Sequence, residues 1–172
     1  MKKKINIFLF FLVLTFTNLV TGCGWKFKVS DENMPFEFIY LSGTNNSVGK
    51  ELITRVKRIP NVKVTNSIVD AQVILKLNVK NEKVVVGFSG AGRPRELEIR
   101  TTVKMEVTNQ EGKTLHPMDE IKIFRSVNFN DTDVLATQAH ENFHIKDINK
   151  QVSLQIIDKL QRINLSKEKI KK

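Results

Sequence analysis

The sequence predicts an α+β fold with two helices packed on one face of a four-stranded, mostly antiparallel sheet. Apolar residues recur at every second position through the middle of the chain and at helical spacing on both sides of it. Clusters of turn formers separate these blocks in the order strand, helix, three strands, helix.

The first strand is Phe36 to Leu41, closed by Ser42-Gly43-Thr44-Asn45-Asn46. Val48, Leu52, Val56 and Ile59 follow at spacings of four, four and three, one stripe of a helix that Ser47 caps and Pro60 stops. From Val62 the period becomes two. Ala71, Val73, Leu75, Leu77 and Val79 alternate with polar residues, and the strand continues as Val84-Val85-Val86 beyond a kink expected at Asn81-Glu82. The Gly-rich loop from Gly87 to Pro94 then gives way to Leu97, Ile99, Thr101, Val103, Met105 and Val107 on one side and Glu96, Glu98, Arg100, Thr102, Lys104 and Glu106 on the other. That alternation marks an antiparallel strand with one wet face. Asn109-Gln110-Glu111-Gly112 reads as a hairpin turn, His116-Pro117 as a break, and Ile121 to Phe129 as a further strand. Asn130-Asp131-Thr132-Asp133 is expected to cap a long helix reaching about Ile163, with Leu135, Ala139, Ile145, Val152, Ile156, Ile157, Leu160 and Ile163 on its apolar arc.

The front of the chain is of another kind. Met1-Lys2-Lys3-Lys4 precedes a mostly apolar run from Ile5 to Val20, the layout of a secretory signal. That run is 16 residues, short of the roughly 20 a spanning helix needs. Leu19-Val20-Thr21-Gly22-Cys23 resembles the bacterial lipobox, which implies cleavage after Gly22 and lipid on the Cys23 thiol and the new amino terminus. Cys23 is the only cysteine, so an intrachain disulfide is impossible. Several acyl chains hold a protein stably where one holds it marginally. Gly24 stands where inner-membrane lipoproteins of this kind resemble one another in carrying Asp, which favours the outer membrane. The expected division is signal peptide 1–22, lipidated tether 23–35, a single α+β domain 36–163 and a basic tail 164–172.

The chain has 28 basic and 18 acidic side chains, a formal charge of +10. Removing Lys2, Lys3 and Lys4 with the leader leaves 25 basic against 18 acidic. For an exported protein the matching negative partners are lipid phosphates or acidic protein surfaces, with no nucleic acid in view.

Catalytic motifs are sparse. His140-Glu141-Asn142-Phe143-His144 spells the zincin pattern, two His one turn apart for zinc and a Glu as general base. A third ligand is needed, and Asp147 and Lys150 stand where the extended motif has Gly and His. The helical wheel also places His140 and His144 on the wet face, nearly opposite the apolar arc. The expectation is no metal, no cofactor and no catalysis, with a zinc-dependent envelope peptidase as the alternative. No Ser lies in a nucleophile-elbow context and the Gly-rich loop matches no nucleotide-binding pattern.

Gly22-Cys23-Gly24-Trp25, the strand and amphipathic helix, the loop before Glu96-Leu97-Glu98-Ile99, Ile123-Phe124-Arg125-Ser126 and the closing Gln155-Ile156-Ile157-Asp158-Lys159-Leu160, in this order, resemble LptE, the LPS-assembly lipoprotein family. The resemblance covers nearly all of residues 22 to 163. It implies a non-catalytic lipoprotein on the periplasmic side of the outer membrane. Such a protein sits in the lumen of the large barrel LptD, aids its assembly and delivers lipopolysaccharide to the cell surface. It also implies lipopolysaccharide binding by basic residues near the loop before the third long strand, where this chain has Arg93 and Arg95, and near the start of the last helix, where it has Thr137 and Gln138. The loop stands on its own chemistry too. Arg93 and Arg95 flank Pro94 beyond flexible glycines, guanidinium forks suit bidentate phosphate contacts, and Phe88 can touch an acyl chain or a barrel wall.

Overall fold

The computed structural model describes residues 33–129 and 134–165. The leader, Cys23, most of the tether, the expected cap at 130–133 and the tail from residue 166 lie outside the described residues. The described elements are β1 (Phe38–Ser42), α1 (Ser47–Val56), β2 (Lys63–Thr65), β3 (Val73–Phe88), β4 (Pro94–Thr108), β5 (Thr114–Asn128) and α2 (Val134–Gln161).

The α+β layering is as expected, but the sheet has five strands and is mixed, in the order β2-β1-β3-β4-β5. β1 runs parallel to both neighbours, while β3, β4 and β5 form an antiparallel meander. Parallel pairing needs a crossover, and α1 supplies it. The strand missing from the sequence reading is β2. Three residues are too few to display a period, and β2 is defined by its pairing with β1, with the Lys63 N–H donating to the Glu37 carbonyl at 2.7 Å and Val64 packed against the core.

Two expected interruptions are absent. The β3–β4 register runs unbroken from Ile74↔Thr108 to Val85↔Leu97, so Asn81-Glu82 makes no kink. Asn81 faces Thr101 across the ladder and accepts its hydroxyl at 2.9 Å, while Glu82 sits on the outer face against Lys80. A polar pair bonded to itself costs the strand little. Likewise β5 begins before His116-Pro117. The pairs Met105↔Asp119 and Val107↔His116 leave Pro117 and Met118 in an irregular stretch, where a missing N–H is tolerated.

α1 buries Val48, Leu52 and Val56, the stripe its spacing foretold. Its N-cap is Asn46, one residue before the expected Ser47, and the Asn46 side chain accepts the Gly49 N–H at 2.9 Å. α2 buries Ile148, Val152, Ile156 and Leu160 at strict spacings of four against α1 and the sheet. Each such aliphatic burial stabilises by about 1.5–3 kcal/mol. A four-residue stripe drifts around a helix of 3.6 residues per turn, so the face that is buried at the C-terminal end is not the buried face at the N-terminal end. Leu135 and Ala139, placed on the apolar arc by the wheel, are exposed. The side nominally wet there, with Glu141, His144 and Asp147, turns toward the sheet.

Gly43 closes β1 at φ +73°, where a Cβ would lie 1.9 Å from the Leu77 carbonyl oxygen. A left-handed non-glycine residue already costs roughly 1–2 kcal/mol, so Gly43→Ala is expected to lower unfolding free energy in urea by more than about 2 kcal/mol. Gly90, with nothing within 4 Å of its added Cβ, is the control. Gly90→Ala is expected to change stability by less than about 0.5 kcal/mol.

Candidate functional site

β3 and β4 end in a tight loop at one end of the sheet. The Ser89 N–H donates to the Arg93 carbonyl (2.8 Å), the Gly92 N–H to the Ser89 carbonyl (2.9 Å) and the Arg93 N–H to the Ser89 hydroxyl (3.1 Å). Gly92 takes the left-handed φ of +74° that the turn requires. Arg93 is thus in the turn itself, whereas Arg95 is already in β4, its carbonyl accepting the Phe129 N–H at 2.8 Å. Arg95 is the extra residue at a register irregularity between the pairs Gly87↔Glu96 and Phe88↔Pro94, beyond Leu97, the last buried side chain at this end of β4. Both guanidiniums are exposed.

Large apolar side chains gather at this end of the molecule. Phe88 is 65% exposed next to the loop, Val85 and Val86 precede it, and Val134 and Leu135 open α2 with exposures of 56% and 81%. Phe88 is legible in the sequence and the others are not, because Val85 and Leu135 read as core positions until the extent of the helical cover is known.

The position where the resemblance leads one to look for a basic residue at the start of the last helix holds Thr137, which is buried, and Gln138, which is exposed. A cation is nevertheless present nearby, arriving from β3. Lys83 lies on the helix-covered face opposite Ile99 and donates to the Glu141 carboxylate at 2.5 Å. Its contribution could not be read from sequence, since it depends on the strand register.

Lys83 and Glu141 form the first of three ion pairs that seat α2. Arg125 of β5 meets Asp147 at 3.0 Å, with Gln151 donating to the same carboxylate, and Lys159 reaches Asp119 of β5 at 2.5 Å. Glu141, the proposed base of the zincin pattern, is therefore occupied as a structural anion. The rings of His140 and His144 lie with centroids 4.6 Å apart and planes tilted by 46°, and among the described residues no group of three or more potential ligands surrounds them. His144 is half-buried rather than fully on the wet face.

The opposite face of the sheet carries alternating charges. Arg100 pairs with Glu98, Lys80 with Glu82 and Lys122 with Glu120. Lys80 and Lys122 hold Glu82 and Glu120 below the ordinary carboxylate range. At the far end from the arginines, an open cleft of about 740 Å³ lies between Asn33, Met34 and Glu37, the β4–β5 turn at Gln110, and Leu165. Among the described residues no arginine lines it.

The chain matches the family model described as LptE, Lipopolysaccharide-assembly, over residues 36–160. The solution structure of an uncharacterized lipoprotein B from Nitrosomonas europaea is similar, with 26% identity and a TM-score of 0.69 over 81% of this chain and 91% of that one. Rare lipoprotein B from Shewanella oneidensis shares the fold at 21% identity and a TM-score of 0.59, covering 72% of this chain and 92% of that chain. A minor lipoprotein from Acinetobacter baumannii shares it at 13% identity and a TM-score of 0.60, covering 75% and 93%. No curated protein sequence matches the chain.

The Asp119 carboxyl is pulled from 3.8 to about 2, first by the hydrogen bond from Lys159 and then by the Glu120 N–H, against a smaller opposing effect of burial. A depressed acid contributes stability that is present above its unfolded value and lost as pH falls toward its folded one. Stability is therefore expected to fall between pH 4 and pH 2, and Asp119→Asn to flatten that part of the pH profile in thermal melts. A profile as steep in the variant as in the wild type would remove Asp119 from the account.

Proposed function

The chain belongs to the LptE lipopolysaccharide-assembly family, and from that premise we propose that it is a non-catalytic lipoprotein of the outer membrane, anchored through Cys23 on the periplasmic side. In this reading it occupies the barrel LptD, assists its assembly and passes lipopolysaccharide outward through Arg93 and Arg95.

The observation that carries the reading is the two-ended layout of the domain. β1 is parallel to β3, so the chain enters at the end from which β3 departs, and β3 then runs to the arginine loop at the other end. Fifteen residues of β4 span about 50 Å at 3.3–3.4 Å per residue. A bilayer with its headgroups is about 40–45 Å thick. A domain tethered at one end in the periplasmic leaflet is thus long enough to carry its other end to the level of the outer leaflet, provided a barrel lumen shields its charged sheet face from lipid.

The arginine end suits the amphiphile. Lipopolysaccharide presents phosphates beside acyl chains, and here two exposed guanidiniums stand beside exposed Phe88, Val85 and Val86. Lys83 contributes charge from beneath but is held by Glu141, so the site rests on the loop arginines.

The test has two arms. Tagged lipidated protein drawn from native outer membranes is expected to bring a barrel of far larger mass with it, and recovery of the chain alone would contradict the plug. In purified protein, Arg93→Glu with Arg95→Glu is expected to weaken lipopolysaccharide binding by at least about tenfold, the loss of roughly one charge-assisted contact, with an unchanged melting temperature. Unchanged affinity would take the site elsewhere.

A further inference from the structure

The two edges of the sheet are treated differently. β2 ends one side with only three residues, a blunt edge. β5 ends the other with fifteen, and among the described residues no strand pairs with its outer side. The Phe129 N–H donates to the Arg95 carbonyl. Continuing that alternation, Val127, Arg125, Ile123 and Ile121 turn their backbone groups toward β4, and Ser126, Phe124, Lys122 and Glu120 turn theirs outward.

Side chains of β5 itself blunt part of this edge. The Asp119 carboxylate accepts the Glu120 N–H at 2.7 Å, and the Arg125 guanidinium donates to the Phe124 carbonyl at 2.9 Å while holding Asp147. Both caps confirm which residues face outward. Among the described residues, the amides of Lys122, Phe124 and Ser126 and the carbonyls of Lys122 and Ser126 have no such cap.

Each rim of this stretch carries exposed large apolar side chains. Phe124 stands on the uncovered sheet face, 62% exposed. Above the edge, Glu141 of α2 points to β3 and Asp147 to β5. At about 100° per residue, Phe143 and Leu154 fall within about 40° of Asp147, on the flank away from Glu141 and beyond β5. They are 64% and 45% exposed. A strand laid along β5 would thus meet aromatic or aliphatic side chains on each of its faces.

We infer that β5 from Lys122 to Ser126 accepts an extended, largely apolar strand of the partner barrel protein, which pairs with the outward backbone groups and packs under Phe143 and Leu154 and beside Phe124. Backbone pairing supplies the affinity in this mode of recognition, and the side chains on alternate faces supply the selectivity. A second copy of the chain fits less well, because each copy brings a strong positive charge. The inference rests on the barrel reading above.

Proline tests it directly. At an outward position proline removes an edge N–H and leaves the β4 ladder intact, which is where strands tolerate it. Lipidated full-length Lys122→Pro and Ser126→Pro, co-expressed with the barrel, are expected to keep their circular dichroism and lose at least about tenfold in barrel recovered per chain. In the wild-type complex, hydrogen exchange at the Lys122, Phe124 and Ser126 amides is expected to slow at least about tenfold against the free protein, a readout that survives if a proline variant fails to fold. Full recovery of the barrel by the folded proline variants, or exchange as fast in the complex as in the free chain, would overturn the edge site and leave the barrel reading standing. Absence of any barrel with the wild type would bring down both. A proline-sensitive doubling of mass in the purified protein would overturn the assignment in favour of a second copy.

Discussion

The helical layer is shorter than the sheet it must cover, and the rest of the structure follows from that mismatch. Ten residues of α1 reach about 15 Å and 28 residues of α2 about 42 Å, against strands of about 50 Å. Where the two helices lie together, Val48, Leu52 and Val56 mesh with Ile148, Val152, Ile156 and Leu160 and the core is dry. Past the end of α1, only the first half of α2 is left to cover β3, β4 and β5. It does so through polar contacts, with Lys83 on Glu141 and Arg125 on Asp147, and the apolar side chains beyond them stay exposed. One end of the molecule is closed by a dry core and the other leaves large apolar side chains exposed.

The ion pairs are better understood as seating devices than as sources of stability. Their members are only partly buried, and exposed pairs contribute little. What they supply is register: Glu141, Asp147 and Lys159 of α2 each meet the opposite charge on a defined strand, Lys83 of β3 and Arg125 and Asp119 of β5, so α2 cannot slide or roll without losing several contacts at once. Seated in this way, α2 leaves Phe143 and Leu154 exposed on the flank that carries Asp147, and Val134 and Leu135 exposed at the arginine end.

Much of this was legible in sequence where one residue's environment decides its period. The strict alternation from Leu97 to Val107 foretold β4 and its buried face, and the spacing from Val48 to Val56 foretold α1. The fifth strand was not legible, since Lys63-Val64-Thr65 is too short to show a pattern and exists through pairing with β1. Asn81 and Pro117 read as breaks because each disfavours a strand alone, yet Thr101 satisfies the first and a register irregularity absorbs the second. The wheel misplaced Leu135 and Ala139 because it assumed one fixed buried face along 28 residues. Of the candidate site, the arginine loop could be read from composition. Lys83 and the open β5 edge could not, as both are consequences of which strands are neighbours.

If the two ends of the domain have the assigned roles, lipopolysaccharide must meet one of them and not the other. The direct measurement is photocrosslinking in intact cells from a reactive side chain at Phe88, beside the arginine loop, and from one at Gln110, in the turn at the opposite end. The account predicts lipopolysaccharide adducts at position 88 and none at 110; adducts at 110 alone, or equally at both, would contradict it.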